Sequence, residues 1–71
     1  MAFSSRVIPS GGSVTLDTCR LAAVDGKVTD KWGRQFHSPP GGLADFGEGT
    51  APHLAGVVTA QAATVLYLNF E

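Results

Sequence analysis

The sequence predicts a mostly β fold: a small single-domain β-sandwich or barrel-like structure built from short antiparallel hairpins, with a long Pro/Gly-rich loop. Three observations lead to this class. The 71 residues leave room for one domain. The C-terminal quarter is rich in β-branched and aromatic residues, which favour strands over helices. Gly and Pro clusters divide the rest of the chain into short segments.

The C-terminal stretch from Leu54 to Phe70 contains no charged side chain. We predict two strands in it, roughly Ala55 to Ala60 and Thr64 to Phe70, paired as a hairpin through a short turn around Gln61 and Ala62. The turn is weakly marked, because Gln-Ala is not a favoured two-residue hairpin pair. A segment without charge must be covered by the rest of its own chain, by a partner subunit or by lipid.

Side chains of successive strand residues point to opposite faces. Val65 and Tyr67 therefore share one face of the last strand, and we expect that face to contact a partner. The opposite face belongs to the internal core, which we predict to contain Leu21, Val57, Leu66, Leu68 and Phe70.

The N-terminal third is expected to form short strands. Ala2 to Ile8 is predicted as an edge strand, because Pro9 cannot donate to a ladder. Ser13–Leu16 and Arg20–Val24 are predicted as two separate strands, interrupted by residues 17–19.

The Asp25-Gly26 pair predicts a tight hairpin turn, because Gly supplies the positive φ that such turns require. In the expected register, Val24 lies near Lys27 and Ala22 near Thr29.

Residues 33–53 are predicted to form a long loop, with at most one helical turn at Leu43–Phe46, since three Pro and five Gly residues fall between Trp32 and His53. Loops of this length in small domains are commonly functional or disordered. This one contains aromatic residues, in which disordered segments are poor, so we expect it to lie on a surface.

Charge and cysteine content favour a chain that associates with other proteins. Six acidic and five basic side chains make up 15% of the residues, against about a quarter in typical domains. Cys19 is the single cysteine, so an internal disulfide cannot stabilise the fold. Small domains without disulfides or metals commonly rely on oligomerisation.

No motif commits the chain to catalysis. Cys19, His37, Asp45 and His53 are residue types found in zinc and Cys-His sites, but their spacings match neither. We therefore predict a protein that is not an enzyme and uses no cofactor or metal.

The segment Lys27–His37 interleaves basic and aromatic residues, a combination used by single-strand binders. A free-standing β-barrel module that uses Trp32 and Phe36 on single-stranded nucleic acid or peptide is the alternative function. The simpler interpretation is a hairpin end with Trp32 packed on the core. Since the net charge is −1, nucleic acid is not the favoured partner.

Neither a membrane span nor a secretory signal is predicted. The C-terminal stretch is slightly short for a spanning helix and lacks flanking Lys or Arg. The N-terminus lacks the apolar core of a signal peptide, which indicates synthesis in the cytoplasm.

Two segments resemble the head decoration (capsid-stabilising) proteins of tailed bacteriophages. Thr15-Leu16-Asp17 leading into Arg20–Gly26 resembles a strand and turn of that family. Ala55–Ala60 followed by Thr64–Leu68 resembles its A-V-G-I-L-type strand and the hydrophobic strand after it. Together they cover about half of the chain. Members of the family are usually longer, and the Pro/Gly-rich segment stands where much of their middle lies.

The resemblance implies a β-rich virion protein, made in the host cytoplasm, that can form homo-oligomers and whose N-terminal arm adds to capsid protein strands. Residues 1–12 would be this arm and its turn. With the apolar face identified above, the expected contacts with neighbouring subunits are Phe3, Val7, Ile8, Trp32, Phe36, Val65 and Tyr67.

Overall fold

The computed structural model describes residues 4–70, and the side chain of residue 48 is the one side chain in that range left undescribed. The elements are β1 (Ser4–Ile8), β2 (Ser13–Asp25), β3 (Lys27–Thr29), β4 (Gln35–His37), β5 (Ala44–Asp45), a single helical turn α1 (Gly47–Thr50), β6 (His53–Ala60) and β7 (Thr64–Phe70).

The strands form one curled antiparallel sheet that describes half of a barrel. Six of them follow the order β1-β7-β2-β6-β3-β4, and β5 pairs with the C-terminal part of β2. The predicted fold class, a small, mostly β, barrel-like single domain, is confirmed.

A single strand of 13 residues, β2, organises the sheet. We predicted two strands here, and that prediction is wrong, because residues 17–19 do not end the strand. They form an irregularity between Leu16 and Cys19, where the pairing with β6 shifts register. A second shift lies between Leu21 and Ala23, opposite β7. Because bulges bend a strand without ending it, β2 can curl and serve as neighbour to both β6 and β7.

The predicted C-terminal hairpin is wrong, although both of its strands exist. β6 and β7 lie on opposite sides of β2, with Leu16 opposite Gly56 in β6 and Leu21 opposite Leu68 in β7. The connection through residues 61–63 therefore crosses from one side of β2 to the other. This arrangement gives each apolar strand a long, curved neighbour, which a two-residue turn would not allow.

The hairpin predicted at Asp25-Gly26 is also wrong. β3 pairs with β4 and with β6, where Val28 lies opposite Ala60. Gly26 has a φ of 132°, and a Cβ atom there would lie 2.8 Å from the Cα of Thr64. Glycine is required here because the two backbones approach so closely. In the sequence, an Asp-Gly pair is also the mark of a tight hairpin turn, so the sequence alone does not distinguish the two.

The core of the described residues lies on the inner face of the curled sheet. Leu21, Leu66 and Leu68 are fully buried, as predicted. Val57 and Phe70 are not core residues, because their side chains are 51% and 40% exposed. The remaining members of the buried apolar cluster are Ile8, Leu16, Cys19, Val24, Val28, Leu54, Val58 and Ala60.

The error at Val57 comes from the choice of face in β6. Leu54, Val58 and Ala60 are buried, so the even-numbered residues point inward and Val57 points outward. Two adjacent valines give no means of choosing between the faces until the pairing partner of the strand is known.

β1 is an edge strand, as predicted for this segment, and pairs antiparallel with β7 of its own chain from Ser4 to Ile8. The described part of the expected N-terminal arm is therefore folded into the domain. Ile8 is 2% exposed within the core, so it is not a contact for another subunit. Phe3 lies outside the described residues.

The segment 33–53 contains β4, β5 and α1. The helical turn lies at Gly47–Thr50, four residues later than the one considered from the sequence, and Ala44–Asp45 instead pairs with β2. Both strands are too short for alternation to reveal them, so their positions depend on β3 and β2 as neighbours.

Candidate functional site

The structure separates the expected contact residues into two regions. Val7, Val65 and Tyr67 lie together on the outer face of β1 and β7, and we call these three residues the outer patch. Trp32 lies in the connection between β3 and β4, residues 30–34, which we call the Trp32 turn. The two regions belong to strands at opposite ends of the sheet order.

The register between β1 and β7 brings the three residues of the outer patch together. Val7 is opposite Val65, and Ser5 is opposite Tyr67. Directly opposite residues in an antiparallel pair share a face, with Cβ atoms about 5 Å apart. Val7 is 78% exposed, and Val65 and Tyr67 are half-buried. The result is an apolar surface at the margin of the sheet.

The edge beside this patch has little protection. In the described part of the chain, β1 has β7 as its one strand neighbour, so the other edge of β1 presents backbone groups that can pair with another strand. Arg6 is the only charged residue of β1, and its guanidinium lies over the Phe70 ring, 5.3 Å from the centroid. Because Arg6 is opposite Leu66, it belongs to the inner face and does not shield Val7.

The Trp32 turn is organised by one buried carboxylate, that of Asp30, which is 5% exposed. Its Oδ1 accepts hydrogen bonds from the backbone N–H groups of Trp32 and Arg34, both at 2.9 Å, and its Oδ2 accepts one from Arg34 Nε at 2.7 Å. Gly33 adopts a φ of 79° and donates its N–H to the Asp30 carbonyl. An Asp that bonds the backbone two residues on is a common way to close a turn.

These contacts set the charge of Asp30. Burial by itself raises the pKa of the carboxyl group, but the N–H groups of Arg34 and Trp32 and the Arg34 charge lower it further than burial raises it. The net pKa therefore lies below the ordinary value. Asp30 is a carboxylate at neutral pH, and its charge is compensated within the turn by Arg34.

The indole of Trp32 projects from this turn with 57% of its surface exposed. The interpretation in which Trp32 packs on the core is therefore wrong. Lys31 Nζ lies 4.5 Å and Arg34 Cζ lies 5.1 Å from the ring centroid, within the range of cation–π attraction. Two cations thus flank an exposed aromatic ring.

Phe36 supports this arrangement and is itself half-buried. Its ring packs edge-to-face on Phe46 with centroids 5.8 Å apart, and Arg34 Cζ lies 5.5 Å from its centroid. Of the two aromatic residues expected to make contacts in this segment, Trp32 presents the larger accessible surface.

Beside the turn lies an open cleft of about 370 Å³, lined by Trp32, Arg34 and His53. Arg34 Nη2 donates to the backbone carbonyl of His53 at 2.9 Å, which ties the turn to the start of β6. The volume is near the lower end of those that hold small ligands.

Sequence reasoning missed Asp30 as the residue that builds this site and His53 as part of its wall. A signal for Asp30 exists, since an Asp three residues before Gly33 in a polar connection is typical of a side-chain-closed turn. His53 had no such signal, because its position depends on the pairing of β6.

No group of three His, Cys, Asp or Glu side chains within the described residues is placed to hold a metal ion. Within residues 4–70 there is also no helix of the length and apolarity needed to cross a membrane.

No protein family, curated protein or solved structure matches this chain.

Proposed function

We propose that the protein is a non-enzymatic structural subunit of a large assembly and binds neighbouring subunits, other copies of this chain included, through the outer patch and the adjacent edge of β1. The observation that carries the proposal is Val7, an aliphatic side chain 78% exposed on an edge strand. Val65 and Tyr67 extend the apolar surface from Val7 across the neighbouring strand β7.

Two physical effects favour association at this place. A strand of another subunit can pair with β1, and main-chain hydrogen bonds then supply affinity. Burying a valine side chain contributes about 1.5–3 kcal/mol relative to leaving it exposed. The low charge content of the chain supports the same conclusion, since fewer charges oppose desolvation of the surface.

The assembly we propose is a phage virion, with the protein as a capsid decoration or other minor structural component. The support is the resemblance to head decoration proteins. The segments of this chain that carry the resemblance lie mainly in β2, β6 and β7. These strands hold the sheet together, and β7 carries two of the three outer-patch residues. Detection of the chain by mass spectrometry in purified particles tests this finer proposal.

Sedimentation velocity over a range of concentrations tests the association. We expect the purified wild-type chain to form a discrete oligomer that dissociates on dilution. Val7→Glu should shift the distribution to the monomer, because a carboxylate would be desolvated in the interface.

The matched control is Val57→Glu, which places the same charge on another exposed strand valine. It should leave the oligomer unchanged. A wild-type chain that stays monomeric at every concentration, or equal effects of the two substitutions, contradicts the assignment of the interface.

A further inference from the structure

The cleft beside the Trp32 turn has a wall of unusual chemistry. Its three lining side chains, Trp32, Arg34 and His53, all end in planar π systems. Nucleobases released from a duplex stack on such surfaces: aromatic rings, imidazoles and guanidinium planes. A flat heterocycle is a ligand that can stack on each of these three groups.

The site is preorganised. Asp30 fixes the backbone of the turn through the N–H groups of Trp32 and Arg34 and also holds the Arg34 side chain. A second bond, from Arg34 to the His53 carbonyl, fixes the guanidinium relative to β6. A ligand therefore bears little of the entropic cost of ordering these groups.

The free charge at the cleft is positive. Asp30 is buried and compensated by Arg34, whereas Lys31 is exposed and makes no ion pair with any residue in the described part of the chain. Its ammonium is at the end of a flexible stem, 4.5 Å from the Trp32 centroid. It can therefore turn from the ring to an arriving anion without losing a carboxylate partner.

We propose that the Trp32 cleft is a binding site for single-stranded nucleic acid. One base lies against Trp32, Arg34 and His53, and the adjoining phosphate pairs with Lys31. An acidic peptide could pair with Lys31 but would leave the three planar surfaces unused. A duplex would keep its bases stacked on one another. The site uses none of the outer-patch residues, so a test of this proposal is independent of a test of the proposed interface.

Trp32 is the single tryptophan of the chain and reports directly on the cleft. The experiment titrates the full chain with an oligothymidylate of about ten nucleotides at roughly 20 mM salt and follows tryptophan fluorescence. Stacking of a base should quench the emission. With one or two phosphates neutralised, the logarithm of the binding constant should fall against the logarithm of salt concentration with a slope of about −1.

Variants locate the binding, measured by anisotropy of a labelled copy of the same oligonucleotide. Trp32→Ala should weaken binding by about 5- to 150-fold, the loss that removal of one stacking contact brings. Lys31→Glu should weaken it strongly, because the Lys31 ammonium lies beside the Trp32 ring. Lys27→Glu, the same charge change at an exposed lysine of β3 that lies over no aromatic ring of the described residues, should have a much smaller effect. Circular dichroism of each variant verifies the fold.

Four results would overturn the proposal. They are an absence of quenching at low salt, equal effects of the two lysine substitutions, equal binding of a duplex of the same length, and equal or stronger binding of an oligoglutamate peptide. The last result would instead identify the cleft as a site for acidic peptides.

Discussion

The outer patch and the Trp32 turn are two exposed apolar features built in opposite ways. The outer patch is assembled by register between β1 and β7, strands at opposite ends of the described chain, and its three side chains gain their positions from the sheet. The Trp32 turn is closed within residues 30–34 by hydrogen bonds to one carboxylate.

This contrast means that the two regions should respond to different perturbations. Loss of the core should remove both, since the turn and the patch are attached to the same sheet. Loss of Asp30 should disorder the turn and leave the patch in place.

Leu68→Ala should lower the free energy of unfolding by about 2–5 kcal/mol, because it removes a fully buried side chain and leaves a cavity in a small core. Chemical denaturation followed by circular dichroism measures the change. Val57→Ala, at a half-exposed position, is the control and should change stability by less than about 1 kcal/mol. Equal effects would show that the faces of the sheet have been misassigned.

Asp30→Ala should cost about 1.5–3 kcal/mol, because three donors lose a charged acceptor. Trp32 should become more mobile, with fluorescence anisotropy lower than in the wild type. Amide signals of β1 and β7 should keep their positions in NMR spectra. Changes as large in these strands as in the turn would disprove the independence of the two regions.

Protonation of Asp30 in acid should weaken the hydrogen bonds that its carboxylate accepts, with a smaller loss of stability than the Asp30→Ala substitution. Because the pKa of Asp30 is lowered in the folded chain, the unfolded chain binds its proton first as the pH falls. The contribution of Asp30 is thus present above about pH 4 and is lost as the pH falls through the folded pKa. Melting temperatures measured between neutral pH and roughly pH 2 should decline less in Asp30→Asn than in the wild type. Parallel declines would exclude Asp30 as the cause.

Features that depend on local signals could be predicted from the sequence, and features that depend on strand pairing could not. The β class, the inward face of Leu66 and Leu68 and the edge position of β1 were predictable, because alternation and Pro9 are local signals. The pairing of β6 and β7 with β2 was not, because β2 crosses two irregularities that hide its length. The error at Val57 has the same origin, because a side chain can be assigned to a face only when the neighbouring strand is known. Ile8 was expected to contact another subunit because the resemblance implies an N-terminal arm, and β1 instead pairs with β7 of its own chain.

The candidate site residues were also predictable only where the signal is local. Trp32 was identified from its basic neighbours, but the role of Asp30 depends on burial, and that of His53 on the position of β6. From the sequence, Val65 and Tyr67 were assigned to one face and Val7 was named apart from them, and the pairing of β1 with β7 makes the three residues one surface.

The central claim is that the outer patch is an interface, and a concentration series of amide NMR spectra tests it residue by residue. We expect the signals of Val7, Val65 and Tyr67 to shift or broaden as concentration rises, while that of Val57 stays unchanged. An absence of concentration dependence, or changes confined to the Trp32 turn, would contradict the claim.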